Sequence, residues 1–334
     1  MKLLMISTDK KMFEQGSEVS LRQIEYATKY EELHVIVFTP REQKEIFVAP
    51  NMWVYPTQSR SRWFYPLDAI KLGRFIINGR GITHITTEDS SLTAMVGVSL
   101  MKRFNIPLEL NIHTDIGSPY FAVPLENKIR KAMALSYIPQ ADTIRVVSER
   151  IKTYVVQDLK IDETKITVRP IVVDREKIMQ TPITIDLHTK YPQFKKIVLM
   201  ASRLEKEKNI HLAIRAWREV RTKIPGAGLI IVGKGKELKR LKEEARQVQA
   251  DGGAQKSIVF EEWVSQDILV SYYKTADLFV NLSFYEGYGL TLIEAEAAGT
   301  KIVSTDVGVA REVGATIVGY EPRDVARAII ERLS

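Results

Sequence analysis

Residues 278–299 of this chain read LFVNLSFYEGYGLTLIEAEAAG. The stretch begins with a short apolar run, passes through a Gly-x-Gly turn, and continues as an alanine-rich segment that ends at Gly299. A short apolar strand that leads directly into a helix is typical of parallel sheets covered by helices on both faces. These residues therefore predict an α/β fold.

The same pattern recurs throughout the chain. Short runs rich in Val and Ile alternate with helical segments, and they lie at Lys2–Ser7, His34–Pro40, His84–Glu88, Leu108–His113, Thr143–Ser148, Ile166–Pro170, Lys196–Ser202, Gly228–Gly233, Ser257–Trp263, Leu278–Ser283, Lys301–Thr305 and Ala315–Gly319. The chain of 334 residues is also longer than one hydrophobic core usually serves. We therefore predict two Rossmann-like, doubly wound domains, at residues 1–170 and 196–334, joined by a connection at 171–195.

The composition, with 45% hydrophobic and 27% charged residues, is ordinary for a globular protein. The absence of cysteine excludes a disulfide framework, a thiolate metal site and a cysteine nucleophile. No apolar run approaches the roughly 20 residues that span a bilayer, and the N-terminal run is too short for a signal peptide, so we expect a cytoplasmic protein. The net charge of +7 is shared between the two halves, which favours phosphate ligands or an anionic membrane over nucleic acid.

One segment is locally more basic. Residues 60–65 read RSRWFY, and Lys71, Arg74 and Arg80 follow. Basic residues beside aromatic ones can rest on a lipid headgroup layer, so residues 60–80 are a candidate for peripheral membrane contact. A solvated loop with a few packed aromatic side chains is the alternative, and the sequence leaves both open.

The loop after the run Lys196–Ser202 is basic, and Arg203 and Lys208 are its two candidate phosphate-binding cations. It reads RLEKEKN from Arg203 to Asn209, and an amphipathic helix is expected over His211–Lys223. Lys208 stands beside the start of that helix, which we expect Asn209 to cap. Two cations and free helix N–H groups at one strand end suit a diphosphate, whereas cations before a helix are often only solvated.

Two glutamates lie around the Gly-x-Gly turn. Glu286 lies on the loop after the strand, and Glu294 lies about one turn inside the next helix. Carboxylates accept hydrogen bonds from vicinal hydroxyls such as those of a sugar or a ribose. The residues around Glu294 are largely apolar, so its helix should be buried. Because a buried carboxylate without a partner is costly, we expect Glu294 to face a ligand rather than solvent.

With these residues the chain resembles the retaining glycosyltransferases of family 4 (glycosyl transferases group 1). The most specific match runs from Glu286-Gly-Tyr-Gly-Leu through Glu294-Ala-Glu-Ala-Ala-Gly-Thr. Other matches follow in family order: Arg203-Leu204 with Lys208-Asn209, VGKG at 232–235, ADLFV at 276–280 and VSTDVG at 303–308. The first half agrees more loosely, through Gly16, His113, VSE at 147–149 and VVD at 172–174. The resemblance implies the GT-B fold, in which two Rossmann-like domains face each other across a cleft.

The resemblance also implies roles for individual residues. Arg203 and Lys208 would hold the donor diphosphate, and Glu286 would contact the transferred sugar. His113 would complete the catalytic set by lying beside the reacting sugar, although a lone histidine is more often structural. The resemblance also implies a base-binding segment near Gly233 and residues 261–263, and it implies that Glu294 binds the ribose. The full set of implied donor-binding residues is Gly16, Gly233, Glu262, Trp263, Gly287, Tyr288, Gly289, Leu290 and Glu294.

The implied activity moves a hexose from a UDP-, GDP- or ADP-sugar to a glycan, a lipid-linked acceptor or a small molecule, with retention of configuration. No cofactor and no metal are expected, because the chain has no Asp-x-Asp pair and Arg203 and Lys208 could neutralise the diphosphate. A sugar-nucleotide epimerase of the same architecture and a non-catalytic nucleotide-sugar-binding protein are the alternatives.

The chain departs from the family pattern in three places. Its first loop reads Gln15-Gly16-Ser17 where many members have a Gly-Gly pair, and residues 169–172 (RPIV) lack a frequent Asn-Gly. Family members usually continue past the helix that we expect over Asp324–Leu333 with another that crosses back onto the first domain. The end of the chain at Ser334 fits either a minimal family member or a truncated one.

Overall fold

The computed structural model describes residues 1–43, 46–250 and 256–334. They form two compact units, Met1–Pro170 and Ile171–Ser334, and each unit has its own sheet. The predicted α/β class is confirmed. No helix within the described ranges combines the length and the apolar character needed to cross a membrane.

The first unit is built on one largely parallel sheet. Its strands within the described residues are β1 (Lys2–Ser7), β2 (Glu32–Val37), β3 (Ile46–Ala49), β4 (Met52–Pro56), β5 (His84–Thr87), β6 (Leu108–Ile112), β7 (Thr143–Val146) and β8 (Ile166–Val168). Their order across the sheet is β3-β4-β2-β1-β5-β6-β7-β8, and only the pair β3 and β4 is antiparallel. The helices are α1 (Glu18–Ala27), α2 (Tyr65–Arg80), α3 (Leu92–Phe104), α4 (Leu125–Tyr137) and α5 (Glu149–Gln157).

Alternate side chains of the central strand β1 enter two different cores, since successive strand residues point to opposite faces. Leu4 and Ile6 pack with side chains of α2 and α3. Leu3 and Met5 pack on the other face, in the core that includes Ala27 of α1. Because α3 contacts both α2 and α4, these three helices cover one face of the sheet, and α1 covers the other.

The second unit has a parallel sheet with helices on both faces. Its strands are β9 (Lys196–Ala201), β10 (Ala227–Val232), β11 (Ile258–Glu261), β12 (Leu278–Asn281), β13 (Ile302–Thr305) and β14 (Thr316–Val318), in the order β11-β10-β9-β12-β13-β14. Its helices are α6 (Arg175–Gln180), α7 (Leu187–Lys190), α8 (Ile210–Lys223), α9 (Leu238–Ala250), α10 (Gln266–Thr275), α11 (Leu290–Ala297) and α12 (Pro322–Leu333). Side chains of α8, α9 and α12 fill one core, and those of α10 and α11 fill the other.

All twelve predicted apolar runs contain strands, with ends that differ by up to three residues. Strands β3 and β4 were not predicted. Both are apolar runs, since β3 reads IFVA and β4 reads MWVYP, and β4 is largely buried. Only Pro50 and Asn51 separate the two antiparallel strands, so the pair departs from the alternation of strand and helix on which the prediction rested.

Residues 171–195, which we expected to be a connection, fold as part of the second unit. Helix α6 packs against α11, and α7 packs against α10. Leu187 and Phe194 are buried in the same core as α10 and α11. Only a few apolar residues in this stretch enter the core, and they are separated by polar ones, so the sequence pattern was too sparse to show it.

Candidate active site

The second sheet has a topological switch point between β9 and β12. The chain runs outward from β9 through β10 to β11 on one side, and from β12 through β13 to β14 on the other. In open α/β sheets, ligands bind beside the carboxyl ends of the strands at such a point. The loops after β9 and β12 are joined there, because the Phe284 amide donates to the Glu207 carbonyl at 2.8 Å.

The two loops bring Lys208 and Glu286 together. Lys208 Nζ lies 2.6 Å from Glu286 Oε1, and both side chains are largely buried. Ser283 Oγ donates to the same carboxylate oxygen at 2.8 Å. The pair lies in a small pocket that Asn281 and Thr291 also line. A buried cation and a carboxylate thus share one concave site at the switch point.

The predicted glycine turn lies immediately after this pair. Gly289 is the N-cap of α11 with φ of +92°, a left-handed conformation that favours glycine. The Tyr288 carbonyl accepts from the Val309 amide at 2.9 Å, which ties the turn to the loop after β13. Gly287 and Leu290 complete the turn and begin the helix. Because glycine has no side chain to cap α11, the first N–H groups of the helix suit an anion.

Glu294 has partners within the protein. Gln266 Nε2 donates to its Oε1 at 2.9 Å, and the Tyr273 hydroxyl donates to its Oε2 at 3.2 Å. Burial raises the pKa of Glu294, and these two hydrogen bonds oppose that rise. Our reason for expecting Glu294 to face a ligand, that it lacked a partner, was therefore wrong. Its two partners hold the carboxylate in place, and its role toward the ribose stays a prediction.

Arg203 and Asn209 differ from Lys208 in their surroundings. Arg203 is mostly exposed and pairs with Glu207, with Nη2 3.0 Å from Oε1. Asn209 occupies the N-cap position of α8, as predicted, but its side chain makes no capping hydrogen bond there. Its backbone is left-handed, with φ of 49°, and this geometry differs from the extended N-cap in which a side chain caps the helix. The predicted Asn209 side-chain cap was wrong.

The predicted base-binding segment lies at the ends of β10 and β11. The Gly233 amide donates to the Glu261 carbonyl at 3.1 Å. A Cβ at Gly233 would lie 1.9 Å from the Ser202 carbonyl oxygen, so only glycine permits this close approach of two strand ends. Glu262 and Trp263 are exposed beyond the end of β11. Both are open to a ligand, and their contact with a base stays a prediction.

Sequence reasoning missed the network beneath this segment. The Glu261 carboxylate accepts from Lys190 Nζ and from the Tyr272 hydroxyl, each at 2.7 Å, and from the Tyr191 hydroxyl. Burial alone would raise the pKa of Glu261, but these three donors outweigh it and hold the pKa below its ordinary value. The donors come from two places in the chain, the adjacent pair Lys190 and Tyr191 and the distant Tyr272, so no local signal in the sequence could have grouped them with Glu261.

The first sheet has a switch point of its own, between β1 and β5. Ser7 Oγ donates across it to the carboxylate of Glu88, at the carboxyl end of β5. Burial raises the pKa of Glu88, and the bond from Ser7 opposes the rise. Neither residue was predicted as a site residue, although a glutamate at the end of an apolar run was a usable signal.

His113 lines a concave pocket in the first unit with Glu88, Asp89 and Arg130. Although His113 is exposed to solvent, desolvation in this pocket lowers the pKa of its imidazole, and the positive charge of Arg145 lowers it further. Gly16 is exposed, with φ of +78°, directly before α1, and it is not among the lining residues of this pocket. The structure thus groups His113 with carboxylates, and it leaves the role of Gly16 a prediction.

Two family models together match most of the chain. Residues 188–331 match the glycosyl transferases group 1, and residues 15–177 match the model described as Glycosyltransferase Family 4. The matches extend over both units, so the agreement is not confined to the motifs of the second sheet.

Two curated relatives match part of the chain. A segment of 145 residues is 31% identical to the alpha-monoglucosyldiacylglycerol synthase of Streptococcus pneumoniae and covers 42% of this chain and 32% of that protein. A segment of 132 residues is 36% identical to the glycogen synthase of Mycobacterium tuberculosis and covers 39% of this chain and 31% of that protein. The matched segments thus span about a third of the length of these relatives.

A solved structure agrees over nearly the whole chain. Anabaena HepE in complex with UDP and glucose superposes with a TM-score of 0.73 at 19% sequence identity, over 99% of this chain and 89% of that one. At this identity the likeness concerns the fold.

Proposed function

This chain belongs to glycosyltransferase family 4, the glycosyl transferases group 1, and has the GT-B fold; from this premise we propose that it moves a hexose from a nucleoside-diphosphate sugar to an acceptor, with retention of configuration and without a metal. The acceptor class comprises glycans, lipid-linked sugars and small molecules. HepE was solved with UDP and glucose, so UDP-glucose is the donor to test first, before GDP- and ADP-sugars.

The observation that carries this proposal is the position of Lys208 and Glu286 at the switch point of the second sheet. Lys208 supplies a cation in a largely buried place, where it acts more strongly on a phosphate than an exposed lysine would. The start of α11 supplies N–H groups beside it. A diphosphate bound there meets fixed positive charge on the protein itself.

In the proposed reaction, the bond between the anomeric carbon and the diphosphate oxygen breaks, and its electron pair leaves with the diphosphate. Lys208 and Arg203 neutralise the charge that develops on that oxygen. The acceptor hydroxyl attacks from the same face as the departing group, and its proton passes to a phosphate oxygen. Glu286 contacts the sugar as it gains positive character, and His113 keeps its implied place beside the reacting sugar.

The remaining residues bind the donor without taking part in bond exchange. Glu294, held by Gln266 and Tyr273, accepts hydrogen bonds from the ribose hydroxyls. The exposed Trp263 offers an aromatic face for the base, next to Glu262.

The test is the release of nucleoside diphosphate from a panel of UDP-, GDP- and ADP-sugars, with and without candidate acceptors and with EDTA present. A transferase releases the diphosphate in an acceptor-dependent way, and chelation leaves the rate unchanged. An epimerase converts the sugar without release, and a binding protein raises its melting temperature with the donor but turns over nothing. A rate that disappears with EDTA and returns with Mg²⁺ or Mn²⁺ would reject the metal-free mechanism.

A further inference from the structure

Large apolar side chains are exposed at the start of α2 and along it. Trp63, in the turn before the helix, is 84% exposed, and Phe75 is 76% exposed. Leu67 and Phe75 are exposed together with Lys71, and these three residues are spaced four apart, so they lie along one face of α2. The helix buries its opposite side, including Ala69 and residues 76–77, against the sheet.

Helix α4 repeats this arrangement at a place that the sequence analysis did not single out. Leu125 is 73% exposed, and Ile129 lies on the same face one turn later. Val123, just before the helix, is also exposed. Ala134 is the buried residue recorded for the helix, so most of its surface is uncovered by the rest of the described chain.

The two exposed faces belong to one side of the first unit. Helices α2 and α4 both contact α3, and α2, α3 and α4 lie on the same face of the sheet. Helices that connect parallel strands run back against the strand direction, so both helices begin near the carboxyl edge of the sheet. Arg130 of α4 also lines the His113 pocket, which lies at that edge. The exposed faces therefore adjoin the pocket.

These two segments hold most of the excess charge of the chain. Residues 60–80 and 123–137 contain eight basic and two acidic residues, a net charge of +6, compared with +7 for all 334 residues. The first of these two segments was identified as basic from the sequence, but the second was not. Apolar side chains and cations are thus interleaved on the same exposed segments. The cations include Arg62 in the turn before α2, Lys71 on α2 and Lys128 on α4.

We propose that a docking surface, formed by the exposed residues of the two segments 60–80 and 123–137, binds an anionic lipid bilayer. Exposed Trp, Phe and Leu side chains enter the boundary between headgroups and acyl chains, and Lys and Arg side chains contact the anionic headgroups. Apolar and basic side chains are interleaved on these helix surfaces. A headgroup layer accommodates both, because it offers acyl chains and anionic headgroups at once. Docking places the His113 pocket next to the headgroups, and it does not depend on which donor the second unit binds.

The experiment is sedimentation of the full chain with vesicles of phosphatidylcholine alone, and with vesicles that also contain phosphatidylglycerol at roughly one part in three, a strongly anionic surface. We expect the protein to sediment with the anionic vesicles and to stay in solution with the neutral ones. The double variant Trp63→Ser/Phe75→Ser should lose most of this binding. The double variant Lys71→Glu/Lys128→Glu should weaken it by well over tenfold, since each basic residue near the surface contributes about fivefold.

The matched control is Leu21→Ser. Leu21 is an exposed leucine in the same unit, but it lies on α1, on the other face of the sheet, so its replacement should leave vesicle binding unchanged. Circular dichroism of each variant checks that it is folded, and all the replaced side chains are exposed. The thermal shift with UDP-glucose is measured in parallel, so failure of docking and failure of donor binding can be told apart.

Three results would overturn the proposal. The first is a wild-type chain that stays in solution with both kinds of vesicle or sediments equally with both. The second is a Trp63→Ser/Phe75→Ser variant that binds as well as wild type. The third is a dimer in size-exclusion chromatography that this variant converts to a monomer without any vesicle binding, which would assign the surface to a second copy of the chain.

Discussion

Lys208 Nζ lies 2.6 Å from Glu286 Oε1, although 78 positions separate the two residues in the chain. In this arrangement the cation proposed for the donor diphosphate is already neutralised by the carboxylate proposed for the sugar. An arriving diphosphate would offer Lys208 a second anion, while Ser283 keeps its hydrogen bond to Glu286. A substitution in this ion pair should therefore change both the stability of the empty site and its affinity for a donor.

Breaking this ion pair from one side should destabilise the second unit. Lys208→Met leaves the largely buried Glu286 carboxylate without its cation, and we expect the free energy of unfolding in urea to fall by about 1–3 kcal/mol. Adding Glu286→Gln should recover part of that loss, because the remaining side chain is neutral. Arg203→Met, at an exposed ion pair, is the control and should cost less than about 1 kcal/mol. If the effects of Lys208→Met and Glu286→Gln on the free energy of unfolding simply add, the two side chains do not stabilise each other and the prediction is wrong.

Turnover should depend on Arg203 and Lys208, two of the three cations in the loop after β9. Replacing Lys208 or Arg203 with Ala should lower kcat by roughly 10²-fold, the usual scale for one preorganised group that stabilises developing charge. Lys206→Ala removes an exposed lysine from the same loop and should change kcat little. Initial rates of nucleoside-diphosphate release measure all three variants. Rates near wild type for both Lys208→Ala and Arg203→Ala would show that the diphosphate binds elsewhere.

The two glutamates should separate donor binding from turnover. Glu294 is assigned to the ribose, which is unchanged in the reaction, so Glu294→Gln should mainly raise the donor KM. Glu286 is assigned to the sugar, so Glu286→Gln should mainly lower kcat. Free UDP has no sugar, and calorimetry should find that it binds Glu286→Gln almost normally and Glu294→Gln weakly. The opposite result would exchange the assigned roles.

The Glu261 network should make stability depend on pH in the acid range. The folded pKa of Glu261 is lowered from its ordinary value of 4.5, so its contribution is fully present above pH 4.5 and is lost as the pH falls through the lowered value. Glu261→Gln should lower the melting temperature at neutral pH and flatten its fall toward acid. Replacement of the neighbouring, exposed Glu262 by Gln is the control and should leave the curve unchanged. If the melting temperature of Glu261→Gln falls with decreasing pH in parallel with that of wild type, this contribution of Glu261 is excluded.

Local sequence pattern was enough for much of this protein. Each of the twelve apolar runs contains a strand, because a strand buried on both faces must be apolar along its length. The glycine turn before α11 was also readable, since Gly289 adopts a left-handed conformation that few other residues accept. Strands β3 and β4 were missed although both are apolar, because no helix separates them and the prediction relied on strands that alternate with helices.

The sequence by itself determined most of the segments that become strands and helices, and the motifs of the loops identified the family. Only the tertiary structure decided that Lys208 pairs with Glu286, that Gln266 and Tyr273 hold Glu294, and that the exposed faces of α2 and α4 share one side of a sheet. The physical reason is the range of the forces involved. Periodicity and turn chemistry act between neighbours in the chain, whereas these contacts depend on strand order, which the packing of the whole sheet and its helices sets.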